Sequence, residues 1–333
     1  MTNINSVKVS PALLNSSCAW SSNLRDLQEL YDSPYTGAIT TRTATLSGFE
    51  ENESHTAVLG GSNTSALNSY GYSPHPLAEY LVWVRQILER SEADKPIVIS
   101  ITSSTPDGLR SMVTSIQDLR KEIGDTSRSP SRIAIELNTS CPNIRNASPS
   151  GYSFKSLHPL LQVLSEEFSA DKTLTIGLKM PPYVYREQFT DALEVLATLS
   201  IQPESDTTSS SAISPISFLT CTNTLGNSLL FSHQIPTSPN TLGEFALPTV
   251  VGGLSGDSIH PLSLGNVYTF SQLLRGPEAR FPTLSNIRII GVGGVTSKQA
   301  RERMLGVGAD AVACATLLGK EGVRAFEILS TSA

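Results

Sequence analysis

The sequence predicts an α/β fold, a closed (β/α)8 TIM barrel with active-site loop insertions at its C-terminal face. Eight short apolar or β-branched segments alternate with eight amphipathic segments, the order that right-handed parallel crossovers require. The strand segments are apolar almost throughout, as in strands that are buried on both faces. Eight repeats favour a closed barrel over an open doubly wound sheet, which is the alternative architecture. The 333 residues suit one such barrel, so we predict a single barrel domain over 1–333.

The predicted elements follow one another in strict alternation. Strands are expected at residues 11–15, 37–41, 97–101, 133–138, 174–179, 217–222, 287–291 and 311–315. Helices are expected at residues 22–32, 76–92, 107–123, 155–169, 185–199, 262–276, 297–306 and 321–329. Each strand is therefore followed by a helix that returns the chain to the start of the next strand.

Two segments interrupt this order. Residues 42–75 are polar and rich in Gly, Asn and Ser, and they follow the second strand at the face where barrel enzymes place their active-site loops. Residues 203–215 form a Ser/Thr-rich insertion that cannot bury enough apolar surface to become ordered by itself. We expect a mobile loop at this insertion, and its simplest interpretation is a spacer without a role.

Charge and composition limit the partners. The net charge of −6 provides no basic field for nucleic acid or for an anionic membrane, which leaves a small molecule as the expected partner. We predict no membrane segment, because no run reaches the ~18 apolar residues of a membrane helix, and the N-terminus lacks the pattern of a signal peptide. Four widely spaced cysteines are typical of reduced thiols in a cytoplasmic protein, and the five histidines show no metal-binding spacing.

Two glycine clusters follow predicted strands in the C-terminal third. Residues 291–294, GVGG, come directly after the seventh strand and precede a helix, and residues 251–256, VGGLSG, form the second cluster. Such glycines let backbone amides approach an anion closely, and the loops after strands seven and eight form the usual phosphate site of this barrel. Either cluster alone would also suit a simple tight turn.

Strands four, five and six each end in polar residues. These ends read NTSCPN at 138–143, KMPP at 179–182 and TNTLGN at 222–227, and in a barrel they converge on one mouth. Their amide groups suit the imide edge of a pyrimidine ring. Taken alone, Cys141 is better explained as a core thiol, although its place at a strand end among polar residues favours a reactive role. Lys179 ends an apolar strand, so its charge is expected to enter the mouth.

Together these motifs resemble those of class 1 dihydroorotate dehydrogenases. The similar strings are NTSCPN at 138–143, GLKMPPY at 177–183, TNTLGN at 222–227, GVGG at 291–294 and ALNSYGY at 66–72. The resemblance runs from about residue 9 to 330, and the cysteine in NTSCPN distinguishes it from the membrane-bound class, which uses a serine. It implies a cytoplasmic homodimer that is reoxidised by fumarate.

The resemblance also implies the reaction and the site. (S)-Dihydroorotate would be oxidised to orotate in pyrimidine biosynthesis, with hydride passing from C6 to N5 of FMN and the C5 proton to Cys141. Catalytic roles would fall to Cys141, Arg42 and Lys179, the last beside N1 and O2 of the flavin. The substrate would be bound by Asn68, Asn138, Asn143, Asn223 and Thr224. FMN would be bound by Ser17, Arg42, Thr43, Asn138, Lys179, Gly253, Gly293, Gly294, Ala315 and Thr316. No metal is expected.

The chain departs from the family pattern at three places. Arg42 stands where the family usually has a lysine that reaches both flavin and substrate, and a planar guanidinium is not interchangeable with an ammonium. Residues 48–55 bring three acids to a position where the family has a basic, proline-containing stretch. Cys18 stands where glycine is common. The reaction type is therefore better supported than the exact substrate.

Two other functions stay open. One is an FMN barrel that acts on another pyrimidine, such as a dihydropyrimidine or dihydrouridine reductase, although the latter would need a basic face for tRNA. The other is a flavin-binding barrel without turnover that serves as a binding or regulatory protein. All three predict a yellow protein, but only the first predicts reduction of the bound flavin by dihydroorotate.

Overall fold

The computed structural model describes residues 1–60, 64–141, 143, 150–201, 212–235 and 244–331. Its strands are β1 (Thr2–Ile4), β2 (Val7–Val9), β3 (Leu13–Asn15), β4 (Ile39–Thr40), β5 (Ala57–Leu59), β6 (Ala66–Asn68), β7 (Ile97–Ile101), β8 (Ile133–Asn138), β9 (Thr175–Met180), β10 (Phe218–Cys221), β11 (Leu225–Ser228), β12 (Gly252–Ser255), β13 (Arg288–Val292) and β14 (Ala311–Cys314). Its helices are α1 (Leu24–Asp32), α2 (Leu77–Glu89), α3 (Pro106–Glu122), α4 (His158–Ala170), α5 (Arg186–Thr198), α6 (His260–Arg275), α7 (Lys298–Gly306), α8 (Thr316–Glu321) and α9 (Arg324–Ser330).

Eight of these strands form a parallel sheet that curls into a (β/α)8 barrel, as the alternating pattern predicts. The order around the sheet is β3, β14, β13, β10, β9, β8, β7 and β4. Each predicted strand and helix is present, with boundaries within about three residues of the expected ones. Apolar side chains fill both the barrel interior and the layer between strands and helices. The barrel prediction is therefore confirmed, and the open sheet is excluded.

A side chain joins the two ends of the sheet. Asn15, at the end of β3, donates from Nδ2 to the Thr40 carbonyl in β4 at 2.6 Å, and its Oδ1 accepts from the Thr40 amide at 2.8 Å. Both residues are buried. The Asn15 amide thus makes the two hydrogen bonds that a neighbouring strand would make, and it completes the ring of strands.

We expect Asn15→Leu to lower the free energy of unfolding by about 2–5 kcal/mol, because the amide and carbonyl of Thr40 would both stay buried and unpaired. Urea unfolding of the variant and the parent would measure this loss. Asn3→Leu is the matched control, since Asn3 lies exposed in β1 and should change stability by about 0.5 kcal/mol or less. Equal stability of Asn15→Leu and Asn3→Leu would show that the bridge contributes nothing.

The sequence patterns did not indicate two smaller sheets. The hairpin of β1 and β2 covers one end of the barrel, where Ile4, Val7 and Val9 join the interior apolar cluster. The second sheet is antiparallel, in the order β11, β12, β6 and β5. It contains two strands from residues 42–75, which were expected to be a loop. These strands are only three residues long, too short to show a clear alternation in the sequence.

Most of the predicted 203–215 insertion lies outside the described residues, as do residues 142 and 144–149. At its described end, the backbone of Ile213 pairs with that of Ile201. In the described part of the chain, none of the helices has the length and apolar character needed to span a bilayer. The same residues form no cluster of three or more His, Cys, Asp or Glu side chains that would suit a metal ion.

Candidate active site

A cavity opens at the carboxyl ends of the barrel strands, which is where barrel enzymes hold their ligands. Fourteen of the fifteen predicted site residues line it. They are Ser17, Arg42, Thr43, Asn68, Asn138, Cys141, Asn143, Lys179, Asn223, Thr224, Gly293, Gly294, Ala315 and Thr316. The second sheet contributes Ala57, Ala66 and Ser255 to the wall, so the segment after β4 is part of the site.

Gly253 is the predicted residue that is absent from this lining. Its carbonyl accepts a hydrogen bond from Asn68 Nδ2 at 3.1 Å, across the pairing of β6 with β12. A Cβ atom at Gly253 would lie 2.3 Å from Thr224 Oγ1 and 2.9 Å from Thr224 Cβ, so a side chain at this position would displace Thr224. The position therefore orients Asn68 and Thr224, two residues that line the cavity.

The asparagines form two hydrogen-bonded pairs. Asn143 Nδ2 donates to Asn68 Oδ1 at 3.2 Å and to the carbonyl of Tyr70 at 2.7 Å. Asn223 Nδ2 donates to Asn138 Oδ1 at 3.1 Å and also to the carbonyl of Ser140. These contacts set the orientation of each amide, which leaves a wall of neutral donors and acceptors suited to a polar heterocycle.

Cys141 lies on the same wall, two residues before Asn143 and next to the Ser140 carbonyl that Asn223 contacts. It is partly exposed, whereas Cys221 and Cys314 are buried in the barrel. Burial raises the pKa of the Cys221 and Cys314 thiols, which disfavours their thiolate forms. Burial also raises the pKa of Cys18, which is partly exposed and lines the same cavity as Cys141. Among the four cysteines, Cys141 is the one whose thiol stands beside the polar asparagine wall.

Lys179 places a buried positive charge in the cavity. It comes from β9, its side chain is 5% exposed, and its Nζ donates to the carbonyl of Ser17 at 3.1 Å. A buried ammonium is costly unless it meets a negative or strongly polar partner. Lys179 is therefore suited to an anionic or electron-rich group of a ligand.

A chain of polar side chains supports the cavity floor from within the barrel. Ser17 Oγ and Thr43 Oγ1 are 2.9 Å apart, and Asn138 Nδ2 donates to the same Thr43 oxygen at 3.1 Å. Thr43 contacts Ser100, whose hydroxyl donates to the buried carboxyl of Glu136. The chain links four strands, so Asn138 and Ser17 are held by partners that the sequence patterns did not reveal.

Arg42 lines the cavity, but its buried guanidinium is already paired with an acid. Its guanidinium forms an ion pair with Glu51, 2.7 Å from Nη2 to Oε1, and lies 5.5 Å from the centre of the Tyr70 ring. Glu51 belongs to the acidic stretch that departs from the family pattern. The structure thus joins two of the three departures in one contact.

The glycine-rich end of the cavity is held by backbone geometry. Gly293 and Gly294 have φ angles of +119° and +65°, conformations that other residues rarely adopt. Arg303 Nε donates to His260 Nε2 at 3.2 Å, which leaves His260 Nδ1 to donate to the Gly293 carbonyl at 2.8 Å. Thr296, Ala315 and Thr316 complete this end, which has the features of a phosphate site.

Several lining residues were not predicted. Tyr70 lies within the ALNSYGY string, and Trp20 packs edge-to-face on it with ring centres 6.3 Å apart. Ser16 also lines the cavity, and its buried hydroxyl has no hydrogen-bond partner among the described residues. Ser16 adjoins the predicted Ser17, but a single serine at a strand end carries no sequence signal of its own.

The sequence as a whole is similar to that of known proteins. The family model described as dihydroorotate dehydrogenase matches residues 2–331. A probable dihydroorotate dehydrogenase A (fumarate) of Streptococcus pneumoniae is 28% identical over 319 residues, covering 95% of this chain and 86% of the relative. The putative enzyme of the same name from Streptococcus uberis is also 28% identical and covers 94% and 85%. The one from Streptococcus equi is 27% identical and covers 87% and 78%.

Proposed function

The chain belongs to the dihydroorotate dehydrogenase family, as a class 1 member, and from this we propose that it oxidises (S)-dihydroorotate to orotate with FMN as its cofactor. The observation that carries the proposal is that Cys141, the asparagine pairs and Lys179 line a single cavity. A base, a wall that can recognise an imide and a buried cation are the groups that this oxidation needs.

The residues of the cavity fit FMN. The cavity has a glycine-rich end suited to a phosphate and a polar end suited to a ring, both within one lining. The Ser16 hydroxyl is buried without a partner among the described residues, and a polar edge of the isoalloxazine would satisfy it. Gly293, Gly294 and Thr316 would hold the phosphate, while Ser17, Thr43, Asn138 and Lys179 would hold the ring.

The proposed reaction divides the work between cofactor and protein. When bound, FMN would supply the hydride acceptor for C6 of the substrate, at its N5 atom. Cys141 removes the C5 proton, and the asparagines with Thr224 hold the pyrimidine so that this proton faces the thiolate. Lys179 stabilises the negative charge that develops on the reduced cofactor.

Three finer statements belong to the same proposal. We infer fumarate as the electron acceptor, since the printed names of the relatives specify it. We also infer a cytoplasmic homodimer, supported by the family resemblance. Finally, the described residues are organised around one barrel, which supports treating 1–333 as a single domain with an insertion at 203–215.

The test is anaerobic reduction of the bound flavin. The purified protein should be yellow, and addition of dihydroorotate without oxygen should bleach its absorption near 450 nm, a generic flavin band, within seconds. Dihydrouracil serves as the control, because it offers the same ring without the carboxylate. A flavin that dihydroorotate leaves oxidised would contradict the proposal, and bleaching by dihydrouracil alone would favour the alternative of another pyrimidine.

A further inference from the structure

Two positively charged side chains are found among the described residues that line the cavity, Arg42 and Lys179. Lys179 is held against the carbonyl of Ser17, on the strand β9 side of the cavity. Arg42 lies near the asparagine wall, because the Tyr70 ring that faces its guanidinium belongs to the residue whose carbonyl accepts from Asn143. Arg42 and the asparagine wall thus line the same cavity and share Tyr70 as a neighbour.

Most of the donors of Arg42 already have partners. Nη2 donates to Glu51 Oε1 at 2.7 Å and to the carbonyl of Gly71 at 3.2 Å. Nη1 reaches Glu51 Oε2 and Ser22 Oγ, each at 3.4 Å. These contacts engage four of the five N–H groups of the guanidinium. A ligand carboxylate can therefore not form a two-pronged contact with Arg42 unless Glu51 gives up its own.

The two partners differ in how firmly they are held. The Arg42 side chain is 6% exposed and is fixed by the Tyr70 ring and the Gly71 carbonyl, whereas that of Glu51 is 26% exposed. Glu51 can rotate into water at little cost, because a carboxylate is well solvated there, but Arg42 cannot leave its buried position. Any exchange of partners at Arg42 would therefore move Glu51.

We propose that Glu51 is a specificity-determining residue, an internal carboxylate that competes with the carboxylate of the ligand for Arg42. Glu51 thereby weakens the binding of anionic pyrimidines such as orotate and leaves the binding of neutral pyrimidines unaffected. This inference rests on the proposed function, because it takes the pyrimidine site as given. The competition explains why a buried arginine that is already paired binds a ligand carboxylate more weakly than an unpaired cation would.

The experiment compares the binding of orotate and uracil to the FMN-loaded protein, followed by the change in the flavin absorption spectrum. Glu51→Gln removes the competing charge and retains the size of the side chain. We expect its Kd for orotate to fall roughly tenfold, while its Kd for uracil, which lacks the carboxylate, changes less than about twofold. Glu53→Gln is the matched control, since it removes one exposed negative charge from the same segment and should leave both values unchanged.

Three contrary results are distinguishable. If the wild-type flavin is reduced by dihydroorotate but Glu51→Gln binds orotate equally or more weakly, Glu51 serves to position Arg42, and the competition is refuted while the proposed function stands. If neither protein binds orotate or is reduced by dihydroorotate, the proposed function and this inference are both refuted. A tenfold gain in Glu53→Gln as well would mean a general charge effect and would also overturn the proposal.

Discussion

Replacing Cys141 by alanine is expected to slow the reduction of bound FMN by dihydroorotate roughly 10²–10⁴-fold, while FMN stays bound. The C5 proton of the substrate is weakly acidic, so its removal needs a base within hydrogen-bonding reach. Cys141 lies beside the asparagine wall that would hold the ring, and it is away from the glycine-rich end proposed for the phosphate. Anaerobic stopped-flow at saturating dihydroorotate measures this step directly.

The neighbouring serine offers a matched control. Ser140→Ala alters the same strand end, and Ser140 is not among the residues that line the cavity, so the rate should change less than about threefold. Cys141→Ser should give a rate that rises with pH, because a hydroxyl is a far weaker acid than a thiol. A rate for Cys141→Ala equal to that of Ser140→Ala would mean that another group takes the proton.

Replacing Lys179 by methionine is expected to slow flavin reduction roughly 10²–10³-fold, the usual effect of losing one preorganised charge from an active site. Methionine retains the length and apolar stem of the lysine but not its charge. The two-electron midpoint potential of the bound flavin should also fall by ~30–60 mV, which corresponds to about 1.4–2.8 kcal/mol less stabilisation of the reduced form. Potentiometric titration with FMN in excess measures this shift.

The control for Lys179→Met is Lys155→Met, which removes an exposed lysine whose partner is Asp191 on the outer surface. Surface ion pairs contribute little, so its potential and rate should match those of the parent. An unchanged potential in Lys179→Met would show that the ammonium does not interact with the reduced flavin. A changed potential with an unchanged rate would restrict its role to equilibrium stabilisation.

Much of the barrel could be predicted from the sequence because it rests on local patterns. The strand Ile133–Asn138 is an apolar run apart from Glu136 and the terminal Asn138, and α3 shows the apolar spacing of a helix that packs on one face. Such patterns do not depend on distant contacts. Glu136 itself interrupts its strand. Only the structure shows how its burial is compensated, because the hydroxyls of Ser100 and Thr220 donate hydrogen bonds to its carboxylate.

The second sheet could not be predicted, since its pairing depends on residues far apart in the chain. Strand β6 pairs with β12, which places Asn68 against Gly253 across 185 positions. A three-residue strand carries almost no periodic signal, and its stability comes from the partner. For the same reason Gly253 was assigned to the phosphate loops, whereas in the structure it supports Asn68 and Thr224.

The sequence by itself determined the barrel and the family, and it brought Cys141, Lys179 and the asparagines to strand ends that must share one mouth. It also identified Arg42 and the acids of 48–55 as departures. Only the tertiary structure decided that Arg42 and Glu51 are partners, and that this pair faces the asparagine wall through Tyr70. The reason is physical: a strand end is set by local hydrophobic pattern, but the partner of a buried charge is set by which side chains the folded loops bring within hydrogen-bonding distance.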